Sequence, residues 1–428
     1  MTKLKSHMYR MAKDLWPINR SITGKGLRDT LSIISKHLPN IKIKKIASGT
    51  KVFDWKIPEE WNVSEAFILT PEKKKICDIK KNNLHLMGYS TPINTKLSLE
   101  KLKKNLFSIP SKPDAIPYVT SYYQKNWGFC IKEKEKKKLK PGKYNVLIKS
   151  KFKKGYLNYG ELIIPGKIKK EVFLSTYICH PSMANNEISG PVVTTELAKW
   201  LTKNNNKYTY RIIFIPETIG SIAYLSKNLN ILKKRVIAGF NVTCVGDNRA
   251  YSFLPSRNGN TISDKAAQHV LKWTDKNYKS FGWEARGSDE RQYCAPKVDL
   301  PIASIMRTKF NEYPEYHTSL DTLGKVVTEK GLQGGFEVIQ KAILAIENDF
   351  YPKSTTFCEP QLSKRDLYPS ISNISNNQTM KEIKLLMDFI SWSDGTNSLI
   401  DIADKCSVPV WELYPIVKVL KKNNLITS

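Results

Sequence analysis

Cysteine is sparse and unpaired in this 428-residue chain: seven residues, at 77, 130, 179, 244, 294, 358 and 406, with no C-x-x-C pair. An odd, irregular set argues against a disulfide framework and against a cysteine-type zinc site. Long hydrophobic runs are missing too, and no stretch approaches the ~20 apolar residues that span a bilayer. The segment Met1 to Trp16 carries charges throughout and lacks the apolar core and cleavage site of a secretory leader. A cytoplasmic protein with no membrane partner is therefore expected. Internal repeats and low-complexity tracts are also absent. Acidic residues are few, with 39 Asp and Glu against 69 Lys and Arg, a net charge of +30. Such an excess can serve nucleic acid through counterion release. Here it is mostly lysine, scattered with local runs at 73–75 and 134–140, whereas base and phosphate recognition favours arginine. A solvated lysine-rich surface is the simpler interpretation and a functional basic patch the alternative. Nucleic acid is not the expected partner.

What is present suits an ordinary globular protein. Hydrophobic residues make up 41% of the chain, with nine Trp and twenty Tyr, and the length exceeds the ~250–300 residues at which single cores stop growing. Two or three domains are expected. Met8, Met11 and Leu15, then Leu27, Leu31, Ile34 and Leu38, recur at helical spacing on either side of Trp16-Pro17-Ile18-Asn19-Arg20-Ser21-Ile22-Thr23-Gly24. That segment is either a connecting turn or part of an active-site rim. From about Lys51 to Ile164 short alternating segments broken by Pro and Gly predict a β-rich module inserted into a larger α/β domain. Strand and helix then alternate: Val172 to Tyr177, Arg211 to Ile215 and Val236 to Val245 are β-like, while Val192 to Leu201, Ser221 to Leu229 and Asp264 to Lys276 are helical. This rhythm predicts a sheet of parallel strands covered on both faces, with the site beyond their C-terminal ends. After a Pro- and Ser-containing connector, 351–378, helical patterns around Phe389, over Leu399 to Lys405 and over Val410 to Lys421 predict a winged helix-turn-helix. The domain expectation is thus 1–50 with 165–350, an insertion at 51–164, and a tail at 376–428. The helix from Val410 is too apolar to face a DNA groove, so a protein partner, an oligomer contact or intramolecular packing is expected of the tail.

The polar motifs fall where the strands end. His180 follows a strand directly and can ligate Zn through one nitrogen while an acceptor holds the other. Asn186-Glu187-Ile188-Ser189-Gly190 opens the next helix, with a small Ser-Gly pair that permits close approach. Glu217 ends another strand, where a carboxylate can act as general base; a helix first-turn acid is the plainer alternative. Two more blocks follow, Gly287-Ser288-Asp289-Glu290-Arg291 and Glu312-Tyr313-Pro314-Glu315-Tyr316-His317-Thr318-Ser319-Leu320-Asp321-Thr322. Arg249, Tyr251, Arg257, Arg286, Arg291 and Arg307 cluster in sequence around these blocks. Their guanidinium forks could recognise a carboxylate or phosphate of a substrate, or equally pair with nearby acids to hold loops.

In order and spacing these blocks resemble the co-catalytic zinc aminopeptidases, whose chains show H-x-D, D-N-x-S-G, E-E-x-G, N-x-D, S-D and Y-H-T-x-x-D-T. The resemblance implies a zinc-aminopeptidase-like α/β/α sandwich, with His180 and His317 as metal ligands and Glu217 as base. The family's bridging Asp falls on Asn186, its metal-binding Glu on Thr218, and further acids on Thr243 and Ser182. Neutral side chains there cannot balance two divalent cations, so about one Zn2+ per chain is expected, its third ligand Asp289 or, second, Asp247. A narrower resemblance is to bacterial polysaccharide-biosynthesis-associated proteins with an aminopeptidase-like domain. It rests on Arg20-Ser21-Ile22-Thr23-Gly24, Cys179-His180-Pro181-Ser182-Met183-Ala184-Asn185-Asn186-Glu187 and the two later blocks. The broader resemblance implies aminopeptidase action on a small peptide or aminoacyl substrate, and the narrower one an amide of a nucleotide-sugar or glycan precursor such as an N-acyl sugar; Arg249, Arg257 and Arg291 of the arginine cluster, with Tyr316, are the candidate substrate contacts. The competing expectation is a catalytically degenerate binding or regulatory protein that works through its winged-helix tail.

Overall fold

The computed structural model describes residues 2–368 and 377–427. Eight strands form the central sheet: β1 (Lys42–Ala47), β2 (Tyr156–Ile164), β3 (Ile168–Tyr177), β4 (Tyr208–Ile215), β5 (Val236–Asn241), β6 (Ser252–Leu254), β7 (Lys279–Ser280) and β8 (Ile302–Met306). Their order is β1-β2-β4-β3-β5-β8-β6-β7. The four central strands β4, β3, β5 and β8 run parallel. Burial on both faces explains their apolar runs: every residue of β3 from Glu171 to Tyr177 is buried. Alternate side chains serve opposite layers. Leu174, Ile212 and Phe240 pack with helices α1 (Thr2–Leu15), α2 (Lys25–His37), α3 (Ser189–Thr202), α5 (Ile262–Thr274) and α7 (Glu329–Asn348). Phe173, Ile213 and Ile302 face α4 (Ile219–Arg235), the short α6 (Glu290–Tyr293) and the inserted module.

The insertion contains a four-stranded antiparallel sheet, ordered Lys75–Ile76, Glu60–Leu69, Lys143–Lys153, Ile93–Ser98. Tyr156–Ile164, expected within that module, is instead β2 of the large sheet, between β1 and β4. A turn at Lys154-Gly155 separates strand Lys143–Lys153 of the insertion from β2, and β2 is buried on both faces over 157–162, as befits a strand inside the large sheet. Strand β5 also stops earlier than expected, at Asn241, and Cys244 adopts a left-handed φ of 52° as the chain turns toward the site.

The tail comprises α8 (Asn377–Ser391), α9 (Leu399–Lys405) and α10 (Val410–Lys422), closed by Ile426–Thr427 paired antiparallel with Lys353–Ser354. Ser398 caps α9 in a reciprocal box with Asp401. Of the connector expected over 351–378, residues 369–376 lie outside the described residues. Phe389, Leu399, Val410, Leu413 and Leu420 belong to the same apolar cluster as α5 and α7, so the tail is packed onto the α/β domain. A polar lock fastens it: His269 of α5 pairs through Nδ1 with Asp404 at 3.0 Å, and its Nε2 accepts from Val410 N at 2.8 Å.

Candidate active site

The C-terminal ends of β3, β4, β5 and β8 deliver Cys179-His180, Glu217-Thr218, Thr243 to Asp247 and Arg307-Thr308 to one edge of the sheet. Non-glycine residues with left-handed φ gather there: Ser182 (53°), Met183 (55°), Thr218 (62°), Cys244 (52°) and His317 (54°). Such conformations persist only where surrounding contacts hold them, and they concentrate at functional sites.

His180 is buried and fixed from two sides. Its Nδ1 meets Glu187 Oε2 at 2.9 Å, which orients the ring and leaves Nε2 turned toward Glu217 Oε2 at 3.5 Å, beyond a good hydrogen bond. Glu187 sits on a wide helical turn, Ala184–Ile188, in which Ile188 N reaches Met183 O five residues back. The buried Arg20 donates through Nε to His180 O at 2.8 Å and stands 3.4 Å from Glu187 Oε1. The segment around Arg20 therefore supports the His180 loop from beneath. At Gly190 an added Cβ would stand 2.5 Å from both Thr176 Oγ1 and Val242 O, so this helix start approaches the strand ends as closely as its glycine permits. Burial lowers the pKa of His180, and the hydrogen bond and charge of Glu187 outweigh it, for a net rise.

His317 comes from the opposite loop, its ring centroid 6.0 Å from that of His180. Tyr316 stacks on it at 3.9 Å. Burial, reinforced by His180, pushes its pKa down to about 3, so the imidazole is neutral at physiological pH, as ligation requires. The inserted module holds this loop: Tyr118 N donates to His317 O at 3.0 Å and Ser319 N to Ile116 O at 2.9 Å. Tyr118 thereby stands edge-on to both imidazoles, with centroids 5.1 Å from His180 and 5.3 Å from His317, and its hydroxyl bonds Tyr122 at 2.8 Å. Nothing in the sequence pattern points to Tyr118 or Tyr122, because their link to the site is purely tertiary.

Glu217 receives a hydrogen bond from Ser288 Oγ at Oε1, 2.8 Å, and burial raises its pKa against the pull of His180 and Ser288. Behind it, Asp289 accepts from Thr218 N at 2.7 Å and Ser221 Oγ at 2.8 Å. Burial and the neighbouring Glu217 push its pKa up to about 8. Asp289 thus anchors through Oδ1 the backbone that carries Glu217, while its buried Oδ2 has no hydrogen-bond partner. Asp247 is spent likewise on Thr308 N and Oγ1, Arg249 N and Asn185 Nδ2, at 2.7 to 3.0 Å. Asn186 donates through Nδ2 to Tyr177 OH at 2.8 Å, and its buried Oδ1 has no hydrogen-bond partner.

Of the expected substrate contacts, Arg291 lies beside Glu217: Nη2 donates to Thr218 Oγ1 at 3.3 Å and Nε to Ser288 O at 3.0 Å. Tyr316 lines the same space through His317. Arg249 is engaged by Glu315 in a two-pronged pair at 2.7 and 2.8 Å. Arg257 follows β6, which runs antiparallel to β8; it pairs with Asp299 at 2.8 Å, at the end of the sheet away from His180. Arg307 bonds Asp247 O and lies over Tyr251, while Arg286 pairs with Glu284.

The donors suit one divalent ion and not two. Thr243 Oγ1 is bonded to Tyr177 OH, and no acid occupies positions 186, 218 or 243. For one ion, His180 Nε2 and His317 offer two imidazole nitrogens, with Glu187 behind His180 in the carboxylate–histidine arrangement that orients zinc ligands. Among the described residues, the set of three candidate ligand atoms already within 4.8 Å of one another is Cys179, His180 and Glu187, and none of His317, Glu217, Asp289 and Asp247 enters such a set. Burial holds the Cys179 thiol pKa well above its ordinary value, and Sγ accepts from Glu217 N at 3.2 Å.

A central parallel sheet, with histidines and a glutamate at its C-terminal edge, a β insertion and a winged-helix tail, defines an aminopeptidase-like class of protein. A zinc aminopeptidase from Bacillus subtilis superposes with a TM-score of 0.58 at 14% identity, over 80% of this chain and 95% of that one. A peptidase M28 precursor from Shewanella amazonensis gives 0.56 at 12% identity, over 84% and 97%. Within that class the chain belongs to the family described as a domain of unknown function, DUF4910, over residues 9–349, followed by a winged helix-turn-helix over 350–428. A Clostridium acetobutylicum relative, provisionally named a polysaccharide biosynthesis protein with an aminopeptidase-like domain, is 41% identical over 93% of this chain and 91% of its own. The crystal structure of a provisionally named peptidase from that organism superposes at TM-score 0.92 and 38% identity, over 99% of this chain and 96% of that one. Among the described residues no helix is long and apolar enough to cross a membrane.

Proposed function

We propose that the protein hydrolyses an amide bond in a peptide or glycan-precursor substrate, with one Zn2+ at His180 and His317, in support of polysaccharide biosynthesis. The observation that carries this is the line Glu187–His180–Glu217, in which an oriented imidazole nitrogen faces a half-buried carboxylate across 3.5 Å. When bound, Zn2+ supplies Lewis-acid polarisation of the carbonyl and of water. Glu217, its proton affinity raised by burial and its Oε1 held by Ser288, takes the proton from the attacking water. The water oxygen bonds the carbonyl carbon, the C–N bond breaks, and Glu217 returns the proton to the departing nitrogen. Tyr118 and Tyr122 wall the site against bulk water. The polysaccharide link follows the name of the Clostridium relative.

Protein purified without chelator should contain about one zinc per chain. Glu217→Gln should keep that zinc and lose turnover on a panel of aminoacyl and N-acyl sugar amides. His180→Ala and His317→Ala should lose the metal. Metal-free protein whose melting temperature does not respond to added zinc would refute the proposal, and zinc loss in the Gln variant would move Glu217 into the ligand set.

A further inference from the structure

Of the segment Arg20-Ser21-Ile22-Thr23-Gly24, Arg20 serves the zinc-ligand loop through His180 O. Ser21 and Thr23 border a cavity of about 310 Å³ at the start of α2, closed on its far side by Trp61 to Val63 of the inserted module. Helix α2, 13 residues long, begins without a cap of its own: Gly24 precedes it with a left-handed φ of 96°, and no acid lies in its first turn. Asn62 Oδ1 takes the N–H of Lys25 at 2.8 Å, but the N–H groups of Gly26 and Leu27 have no hydrogen-bond partner among the described residues. Free N–H groups at the positive end of a helix dipole favour an anion. Ser21 is an independent sign of one. It lines the same cavity, is only 4% exposed, and its hydroxyl has no partner among the described residues, whereas buried hydroxyls are almost always bonded. Thr23, by contrast, is engaged by Trp61 N and Tyr89 OH. An added Cβ at Gly26 would stand 2.0 Å from Asn19 O and 3.1 Å from Arg20 Cα, so glycine there lets the segment that carries Ser21 lie against the first turn of α2. Of the lining residues only Asp29 is acidic, and Lys25 Nζ matches it at 2.5 Å.

We infer that the start of α2 binds a phosphate group, free or as the monoester of a small molecule, through Ser21 Oγ, Gly26 N and Lys25 Nζ. Phosphate oxygens accept from a hydroxyl, a backbone N–H and an ammonium at once, and the cavity leaves room for the group the phosphate is attached to. Ser21 follows Arg20 in the chain, so the phosphate lies one residue from the side chain that supports the His180 loop. The site is distinct from the zinc centre and does not depend on the hydrolase assignment.

Calorimetry and phosphorus NMR on the full chain, freed of metal so that zinc cannot take up the anion, would follow titration with inorganic phosphate and with N-acetylglucosamine 1-phosphate. Physiological salt screens the lysine-rich surface, and N-acetylglucosamine serves as the phosphate-free control. A single phosphate should bind per chain at millimolar concentration or below, and the sugar alone should not compete. Tighter binding of the ester marks a sugar phosphate as the source, and equal or weaker binding marks free phosphate. Ser21→Ala removes a hydroxyl that has no partner in the ligand-free chain, so the melting temperature without phosphate should not fall, while phosphate affinity should drop about ten-fold or more. Lys25→Glu suits the helix dipole but opposes a bound anion, so this variant should fold and lose phosphate. His180→Ala should bind phosphate as the parent chain does, which keeps the result apart from zinc binding and turnover. Failure of both phosphates to bind, a smaller loss in Ser21→Ala, lower melting of that variant without ligand, retention by Lys25→Glu, or loss in His180→Ala each overturns the inference.

Discussion

Asp289 illustrates how a buried acid can serve a site without touching substrate. With its pKa pushed up to about 8 it is mostly uncharged at neutral pH, and what the fold requires of it is an acceptor for Thr218 N and Ser221 Oγ. Asn supplies such an oxygen at equal size. Asp289→Asn should therefore cost less than ~1 kcal/mol, whereas Asp289→Ala, which strands a buried N–H, should cost ~1–3 kcal/mol. Urea unfolding at pH 7 checks the contrast, and a large loss in the Asn variant would show that the charged form matters. Arg20 is a second case: with its Nε on His180 O, Arg20→Met should leave the apolar packing in place yet reduce zinc occupancy by loosening the His180 loop.

Among elements, the contact between the tail and the α/β domain turns on Asp349, Asp404 and His269. Asp349 accepts from Ile400 N at the start of α9, and burial raises its pKa to about 6 from an ordinary 3.8. The folded state thus binds this proton more tightly than the unfolded one. Its contribution to stability is fully present below about pH 4 and is lost as pH rises through 6, and that trend should vanish in Asp349→Asn when melting is followed from pH 4 to 8. These elements also divide what could be read from sequence from what could not. The strand–helix alternation was legible because central parallel strands are apolar throughout and their covering helices are periodic. His180, Glu217 and His317 were legible because each stands directly at a strand end or in a dense polar block. Arg257 misled because nearness in sequence says nothing about strand direction, and β6 runs opposite to β8. Tyr118 and Glu187 gave no sign of their roles, since one reaches the site across about 200 positions of chain and the other through an unusual helical turn.

For the whole molecule, the decisive feature is that tail and α/β domain share one apolar cluster. Leu413 of α10 is fully buried in the cluster that also contains Val270 of α5 and Ile339 and Ile343 of α7. A domain on a flexible tether would melt alone, whereas one whose core is continuous with its neighbour melts with it. The full chain should accordingly unfold in a single calorimetric transition, and Leu413→Ala, at ~2–5 kcal/mol for a buried leucine, should lower the temperature of that transition as a whole. Near-ultraviolet signals of the tyrosines around His180 and His317 should then shift together with the far-ultraviolet helix signal. Val410 N depends on His269 Nε2, so His269→Ala should act in the same direction by ~1–3 kcal/mol. If instead a small early transition appears in either variant while the tyrosine signals stay put, the tail is an independent unit and its packing against α5 and α7 contributes little to the α/β domain.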